Sequence, residues 1–498
     1  MKSSIIAFSL FVSGSSVSLV CDAQQQQSRI RPVVPYEHAK ITAPPGMVYI
    51  PGGTTIIKYS QQATDSNCVK KVSLSSFFID KTEVTNQQYR QFVEWVIDSL
   101  AISRYLKDDD QYFKTAKVND STGNTAEVRR INWSKVDHKK LFEEAETRTK
   151  LAAMLDERGM IRKDSVFYTY YYLRANGTDT KAKIGTWASQ PVNVYPDEQI
   201  WAKDLPNAQT DILVENYFTS PPYDDYPVVG VTWKQAMAYC YWRSQTSNGF
   251  ADIADYMKSY HLSFSLPSEA QWVYAAEQDM RSVAPVEKPV EEKPAPKKEK
   301  EVAKVAPVQK DTTAAAPNAD AGSSWSASTT TTSDNAAALT DSNSFFDLNA
   351  PDDHTIIPTD KRGLTANFKQ GEGDYTDDGS PFTVPVMSYA PNDFGVYNMI
   401  GNVAEWTMDA YSPSAFAFVS DINPVLKYDA DSSDADAMKR KVVRGGSFVS
   451  NAKALSPYAR DYELQDVEHC FIGFRCVMGA PEILNKTVAT RKKAVSKK

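Results

Sequence analysis

Five cysteines and five histidines are the side chains of this 498-residue sequence best suited to metal or redox chemistry. Two thiolates held close together select Cu(I), because soft sulfur ligands suit that ion. The cysteines are Cys21, Cys68, Cys240, Cys470 and Cys476, and only the last two are near neighbours in sequence. The histidines, His38, His138, His261, His354 and His469, have no helical or turn spacing for a shared metal. Each reads as a polar surface residue. No Gly-x-Ser-x-Gly elbow, phosphate loop or His-Glu-x-x-His motif is present. Asn-x-Thr occurs at Asn176 and Asn485.

The positioning elements are short and punctuated by turns. Gly46 to Gly53 reads as a strand entering a turn, and Phe77 to Val84 as a second strand. Thr85 then caps a helix whose Tyr89, Phe92, Val93, Val96 and Ile97 fall on one face. Val228 to Val231 reads as a further strand. Thr232 caps the next helix, with Trp233, Ala236, Met237, Cys240 and Tyr241 as its buried stripe. Ser268 and Gln271 have capping-box spacing ahead of a third helix, which buries Trp272, Ala275 and Ala276.

A chain this long can bury a large core, and its 42% apolar content and nine tryptophans point to a globular protein. The net charge of −7 gives no basic excess, so nucleic acid is not an expected partner. A basic tail closes the chain at 481–498, and reads as a solvated end. At the other end, Lys2 and the apolar run Ile5 to Val12 read as an export signal over 1–20, too short to span a bilayer. Cleavage before Cys21 would leave a lipidated cysteine and four others; cleavage after Ala23 is the alternative. An even four suits an oxidising compartment, although free buried thiols stay open as a reading. Residues 21–45 form a Pro-containing linker.

Three blocks together carry a family resemblance: Gly401-Asn402-Val403-Ala404-Glu405-Trp406, Arg444-Gly445-Gly446-Ser447-Phe448-Val449-Ser450 and Gly473-Phe474-Arg475-Cys476. With Ile50-Pro51-Gly52-Gly53, Glu83-Val84-Thr85-Asn86 and Leu266 to Trp272, they resemble the formylglycine-generating enzyme, or sulfatase-modifying factor, family. The resemblance implies an irregular, loop-rich α+β fold related to C-type lectins, here over 46–480. It also implies where reactive thiols should stand. Those positions are Ser450 and Leu455, neither of which can ligate copper. Iron-dependent relatives use three histidines, for which this chain has no matching set. Neither copper nor iron is therefore expected.

Calcium is the ion the resemblance still allows, at Asn398, Gly401, Val403 and Glu405, and at Asn367, Phe368, Asp378 and Ser380. The competing reading makes Asn398 and Glu405 loop-bracing hydrogen-bond groups. Arg444 and Arg475 are expected to brace loops in the same way. The family also implies a Cys240–Cys476 disulfide, which would leave Cys68 and Cys470 to pair with each other.

Two insertions interrupt the domain. Residues 97–223 are polar and aromatic, helix-favouring from Lys140 to Asp164 and strand-like around Phe167 to Leu173, and are expected to be ordered. Residues 283–341 are rich in Pro, Lys, Glu, Ala, Ser and Thr, and are expected to form a disordered, low-complexity spacer. Gln190 to Asp197 and Asn216 to Trp233 narrow the resemblance to the gliding-motility lipoproteins GldK and PorK of the type IX secretion system. That likeness implies an outer-membrane lipoprotein facing the periplasm. It further implies a non-catalytic ring subunit, assembling with itself and a GldN- or PorN-type partner. Trp133, Tyr168, Tyr170, Tyr171 and Tyr172 are candidate interface anchors. The rival readings are an exported metal-dependent oxidase and a calcium-stabilised glycan- or peptidoglycan-binding module.

Overall fold

The computed structural model describes residues 43–58, 69–119, 125–175, 185–247, 262–281, 359–360, 363–364, 366–369, 380–451 and 454–480. The export signal, Cys21, Cys68, Asp378, the 283–341 segment and the basic tail lie outside them. Strands β1 (Met47–Ile50), β2 (Gly53–Lys58), β3 (Val69–Leu74) and β4 (Phe77–Asp80) lead into helix α1 (Asn86–Leu100). Next come β5 (Phe113–Asn119), β6 (Thr125–Ile131), α2 (His138–Glu143), α3 (Ala145–Lys150), β7 (Phe167–Leu173) and β8 (Trp187–Asn193). Helices α4 (Ile200–Asp204), α5 (Asp211–Asn216) and α6 (Trp233–Ser247) follow, then β9 (Phe264–Ser265) and α7 (Glu269–Arg281). After β10 (Thr359–Asp360) and β11 (Gly363–Leu364) come β12 (Ala404–Ala410), β13 (Arg440–Arg444), β14 (Arg460–Leu464), β15 (Ile472–Gly473) and β16 (Val477–Gly479).

Two four-stranded sheets hold the core. In the first, the order β1-β4-β16-β9 joins the start of the domain to its end. Every residue of β4 is buried, including Asp80, which accepts from the Cys476 amide and Arg243. The second has the order β14-β13-β12-β15, with Glu405 opposite Arg444 in the β12–β13 register. Helix α7 packs Trp272, Val273, Ala275 and Ala276 with Ile50, Phe77, Ile79 and Val477 of the first sheet. A fully buried Trp truncated to Ala typically costs about 3–5 kcal/mol, so Trp272 is a principal fixture of that layer.

Local capping chemistry is where the sequence placed it. Thr85 and Gln88 form a reciprocal capping box, and the expected face of α1 is buried. Thr232 with Gln235, and Ser268 with Gln271, make the same exchange at α6 and α7. Each box satisfies amide groups that a helix start otherwise leaves without partners.

Three expectations need correction. The second strand stops at Asp80, short of Val84. Val228 to Val231 forms no strand: an isolated bridge pairs Thr85 with Pro227, and the Val228 amide reaches the Val84 carbonyl. Gly230, at φ 69°, then turns the chain away before a ladder can extend. Helix α6 has no single buried stripe either. Gln235, Ala238 and Tyr239 are buried while Met237 and Tyr241 are only half-buried. The reason is a second packing partner, because Gln235 Nε2 donates to the Asn193 and Tyr195 carbonyls of the insertion.

The described part of 97–223 carries two hairpins, β5–β6 and β7–β8, and helices α2 to α5. The first residues assigned to it, Ile97 to Leu100, still belong to α1. Among the described residues, no helix is long and apolar enough to cross a membrane.

Candidate functional site

Strand β13 delivers Arg444 into Gly445 and Gly446, which sit at φ 99° and 67°. A Cβ on Gly445 would meet the Met399 carbonyl and the Trp272 ring, both at 3.1 Å. Glycine is therefore required for the loop to lie this close to α7. Beyond it, Ser450 Oγ accepts from the Ser447 amide at 3.0 Å and lies 3.1 Å from Ser447 Oγ. Ser450 is buried, and its carbonyl accepts from the Lys369 amide. Leu455 packs with Ala366, Phe368 and Ile400 in a small apolar cluster. A hydroxyl fixed in a turn and a hydrocarbon in a core thus occupy the two positions where the family's thiols are expected.

Around this loop lie buried ion pairs. Glu269 at the start of α7 receives Arg444 and, at 2.6 Å, Arg460 Nε. Burial pushes the Glu269 carboxyl up, but Arg444 and Arg460 outweigh it and hold it below the usual range. Glu405 accepts from Arg475 Nη2 at 2.6 Å and from Trp272 Nε1 at 2.8 Å. Glu83 stands nearby, 4.0 Å from Arg475, and accepts from Asn402 Nδ2 at 2.9 Å and Asn398 Nδ2 at 3.2 Å. With Arg475 committed to Glu405, burial dominates Glu83 and raises its pKa to about 7. Asp409 is also raised to about 7 by burial and by Glu269. Such pairs are poor sources of net stability, yet removing one partner leaves a buried charge uncompensated.

The first candidate calcium set is Asn398, Gly401, Val403 and Glu405. Both carboxylate oxygens of Glu405 already face the Arg475 guanidinium. Asn398 does offer a buried Oδ1 without a hydrogen-bond partner. Gly401 is pinned by its amide to the Gly445 carbonyl, and Val403 is buried. In the second set, the Asn367 carbonyl accepts from the Asn402 amide, its Nδ2 donates to the Phe382 carbonyl, and Ser380 Oγ bonds that same carbonyl. Phe368 is buried, and Asp378 is outside the described residues. Among the described residues, no group of three or more His, Cys, Asp or Glu could hold a metal. Glu405 and Asn367 act as loop braces, while Asn398 Oδ1 has no hydrogen-bond partner.

Cys240 and Cys476 meet, their sulfurs 3.5 Å apart as buried thiols, whereas a disulfide needs about 2.05 Å. Cys470 is a buried thiol whose amide donates to Asp204. His469 bridges Asp204 and Glu463 at 3.1 and 2.9 Å, tying α4 of the insertion to β14. Burial lowers its pKa, but the two carboxylates prevail and raise it to about 9. Of the candidate anchors, Tyr170 is buried and Tyr168 packs on Phe92, while Trp133 stacks on Trp95 at 4.8 Å. Sequence reasoning did not single out Glu83, Glu269 or Arg460. Two glutamates beside helix starts in apolar contexts were the available signal.

The chain matches the sulfatase-modifying factor enzyme 1-like domain over residues 34–480. It is 34% identical over 106 residues to the formylglycine-generating enzyme of Thermomonospora curvata, covering 21% of this chain and 33% of that protein. It is 29% identical over 123 residues to the inactive C-alpha-formylglycine-generating enzyme 2 of Bos taurus, covering 23% and 34%. The match spans about a third of the length of these curated relatives. Among solved structures, PvdO from Pseudomonas aeruginosa is similar at 14% identity and a TM-score of 0.37, covering 87% of this chain and 94% of that one. A match across 34–480, on a fold of helices and several small sheets, places this chain in the sulfatase-modifying factor (FGE-sulfatase) family.

Proposed function

We propose that this chain is a non-catalytic structural subunit of the type IX protein secretion and gliding-motility machinery. On this reading it is a lipoprotein of the GldK and PorK kind, anchored through Cys21 at the periplasmic face of the outer membrane. It builds a ring from copies of itself and a GldN- or PorN-type partner. The observation that carries the non-catalytic part is the pair Ser450 and Leu455. A buried hydroxyl and a core isobutyl group stand where a copper oxidase requires two thiolates.

The assembly part draws on the β7–β8 hairpin. Phe167, Tyr171, Leu173 and Trp187 are 48%, 51%, 54% and 71% exposed, and three of them share one strand face. An exposed run of large apolar side chains marks an interaction surface. Crosslinking and pull-down from membranes, followed by electron microscopy, tests this reading. Rings containing a second secretion component support it, and a monomer that captures no partner counts against it. The rival reading is an exported metal-dependent oxidase of the formylglycine-generating type; the curated relatives include both formylglycine-generating enzymes and an inactive one. Stoichiometric copper or iron accompanied by turnover would favour that rival.

A further inference from the structure

Between the β7–β8 hairpin, α6 and the central strands of the second sheet lies a cavity of about 280 Å³. Its walls include Tyr170 and Tyr172 of β7, Trp187 of β8, and Trp233 of α6. Lys441 of β13 also lines it, although a lysine in mid-strand is ordinarily solvent-facing. Here the side chain is buried, its ammonium 4.0 Å from the centre of the Trp233 ring and 2.6 Å from the Tyr428 carbonyl. Among the described residues, that carbonyl is its hydrogen-bond acceptor and no carboxylate pairs with it. Burial accordingly lowers its pKa to about 8, against the pull of Asp429 and Asp409. Lys234 shares the cavity wall but is already paired with Asp466 at 2.7 Å.

A buried ammonium with open donors costs free energy unless an anion completes it. The surrounding rings supply flat apolar walls that a planar body can stack on. We propose that this cavity binds a carboxylate carried on an aromatic body, with the carboxylate on Lys441 and the ring between the β7 tyrosines, Trp187 and Trp233. Two sources share that chemistry: a free aromatic acid and the carboxyl end of a polypeptide finishing in an aromatic residue. The site does not rest on the assembly reading, although Trp187 belongs to both the cavity wall and the exposed hairpin surface.

Titration calorimetry of the full chain at pH 7 tests it with indole-3-acetate, indole-3-acetamide, and a pentapeptide ending in tryptophan as free acid or amide. Each acid binds roughly tenfold or more tightly than its amide, the effect of one charge-assisted hydrogen bond. Lys441→Met removes that preference. Trp187→Ala, at the exposed rim, weakens acid and amide alike without disturbing the core. The acid preference also fades as pH rises through about 8, the range in which Lys441 loses its proton beside Asp429, Asp409, Asp466 and Lys234. A peptide acid that outbinds indole-3-acetate identifies a chain end as the source, and the reverse order identifies a free acid. Absence of binding, equal binding of acid and amide, or a preference that survives both Lys441→Met and high pH overturns the proposal.

Discussion

The Arg444–Leu455 loop and the β7–β8 hairpin face opposite ways in chemical terms. The described part of the loop is tightly packed: Gly445 lies against Trp272 and Gly446 against Ala454, Ser450 is held in a turn, and Leu455 is core. The hairpin is open, offering large apolar side chains on one face and an aromatic cavity at its end. In this chain the segment around Ser450 and Leu455 is packing, and the β7–β8 hairpin carries large exposed apolar side chains. A fold can keep its internal bracing while its working surface moves elsewhere.

The sharpest way to break that contrast is to attack the bracing. Glu269→Gln leaves Arg444 and Arg460 facing each other without their carboxylate, and should cost about 3–5 kcal/mol in urea unfolding. A loss under about 1 kcal/mol would mean water reaches those arginines. Leu455→Ala should cost about 2–5 kcal/mol as a buried large-to-small change. On the open side, Tyr171→Ala with Trp187→Ala should alter monomer stability by no more than about 0.5 kcal/mol per site, while abolishing partner capture. Equal stability losses in the two regions would erase the distinction.

His469 holds its proton to about 9 in the fold against an ordinary value of 6.5, so its bridge is fully present below about 6.5 and lost as pH rises through 9. Glu83 and Asp409 keep their protons to about 7, so the fold loses stability as pH climbs from the usual carboxylate range to 7. Urea midpoints should therefore decline with rising pH, and His469→Gln should flatten the decline above 7. The smallest effect expected is that of calcium. With Glu405 committed to Arg475, millimolar calcium or its chelation should leave the melting temperature unchanged; an upward shift with calcium would show binding to the folded chain.

Much of the fold was legible because its signals are local. The capping boxes at Thr85, Thr232 and Ser268 and the face of α1 follow from side-chain type at fixed spacing. Val228 to Val231 has strand composition but only one pairing partner nearby, and strand identity depends on pairing that a short window does not contain. The buried stripe of α6 was misread for a related reason: the insertion that covers its second side is remote in sequence. The ionic framework was least legible. Glu269 and Arg444 are 175 residues apart, and Glu405 and Arg475 are 70 apart, so no periodicity connects them. Ser450 and Leu455 stand out only against a family pattern, and their burial only from the fold.

With Ser450 and Leu455 in place of thiolates, the loop is expected to carry no oxidative chemistry. Copper-reconstituted protein incubated with oxygen and a cysteine-containing peptide, with aldehyde formation followed by mass spectrometry, tests it most directly. No aldehyde should form above the protein-free control. Turnover that disappears on Ser450→Ala or on replacement of Cys470 would contradict it.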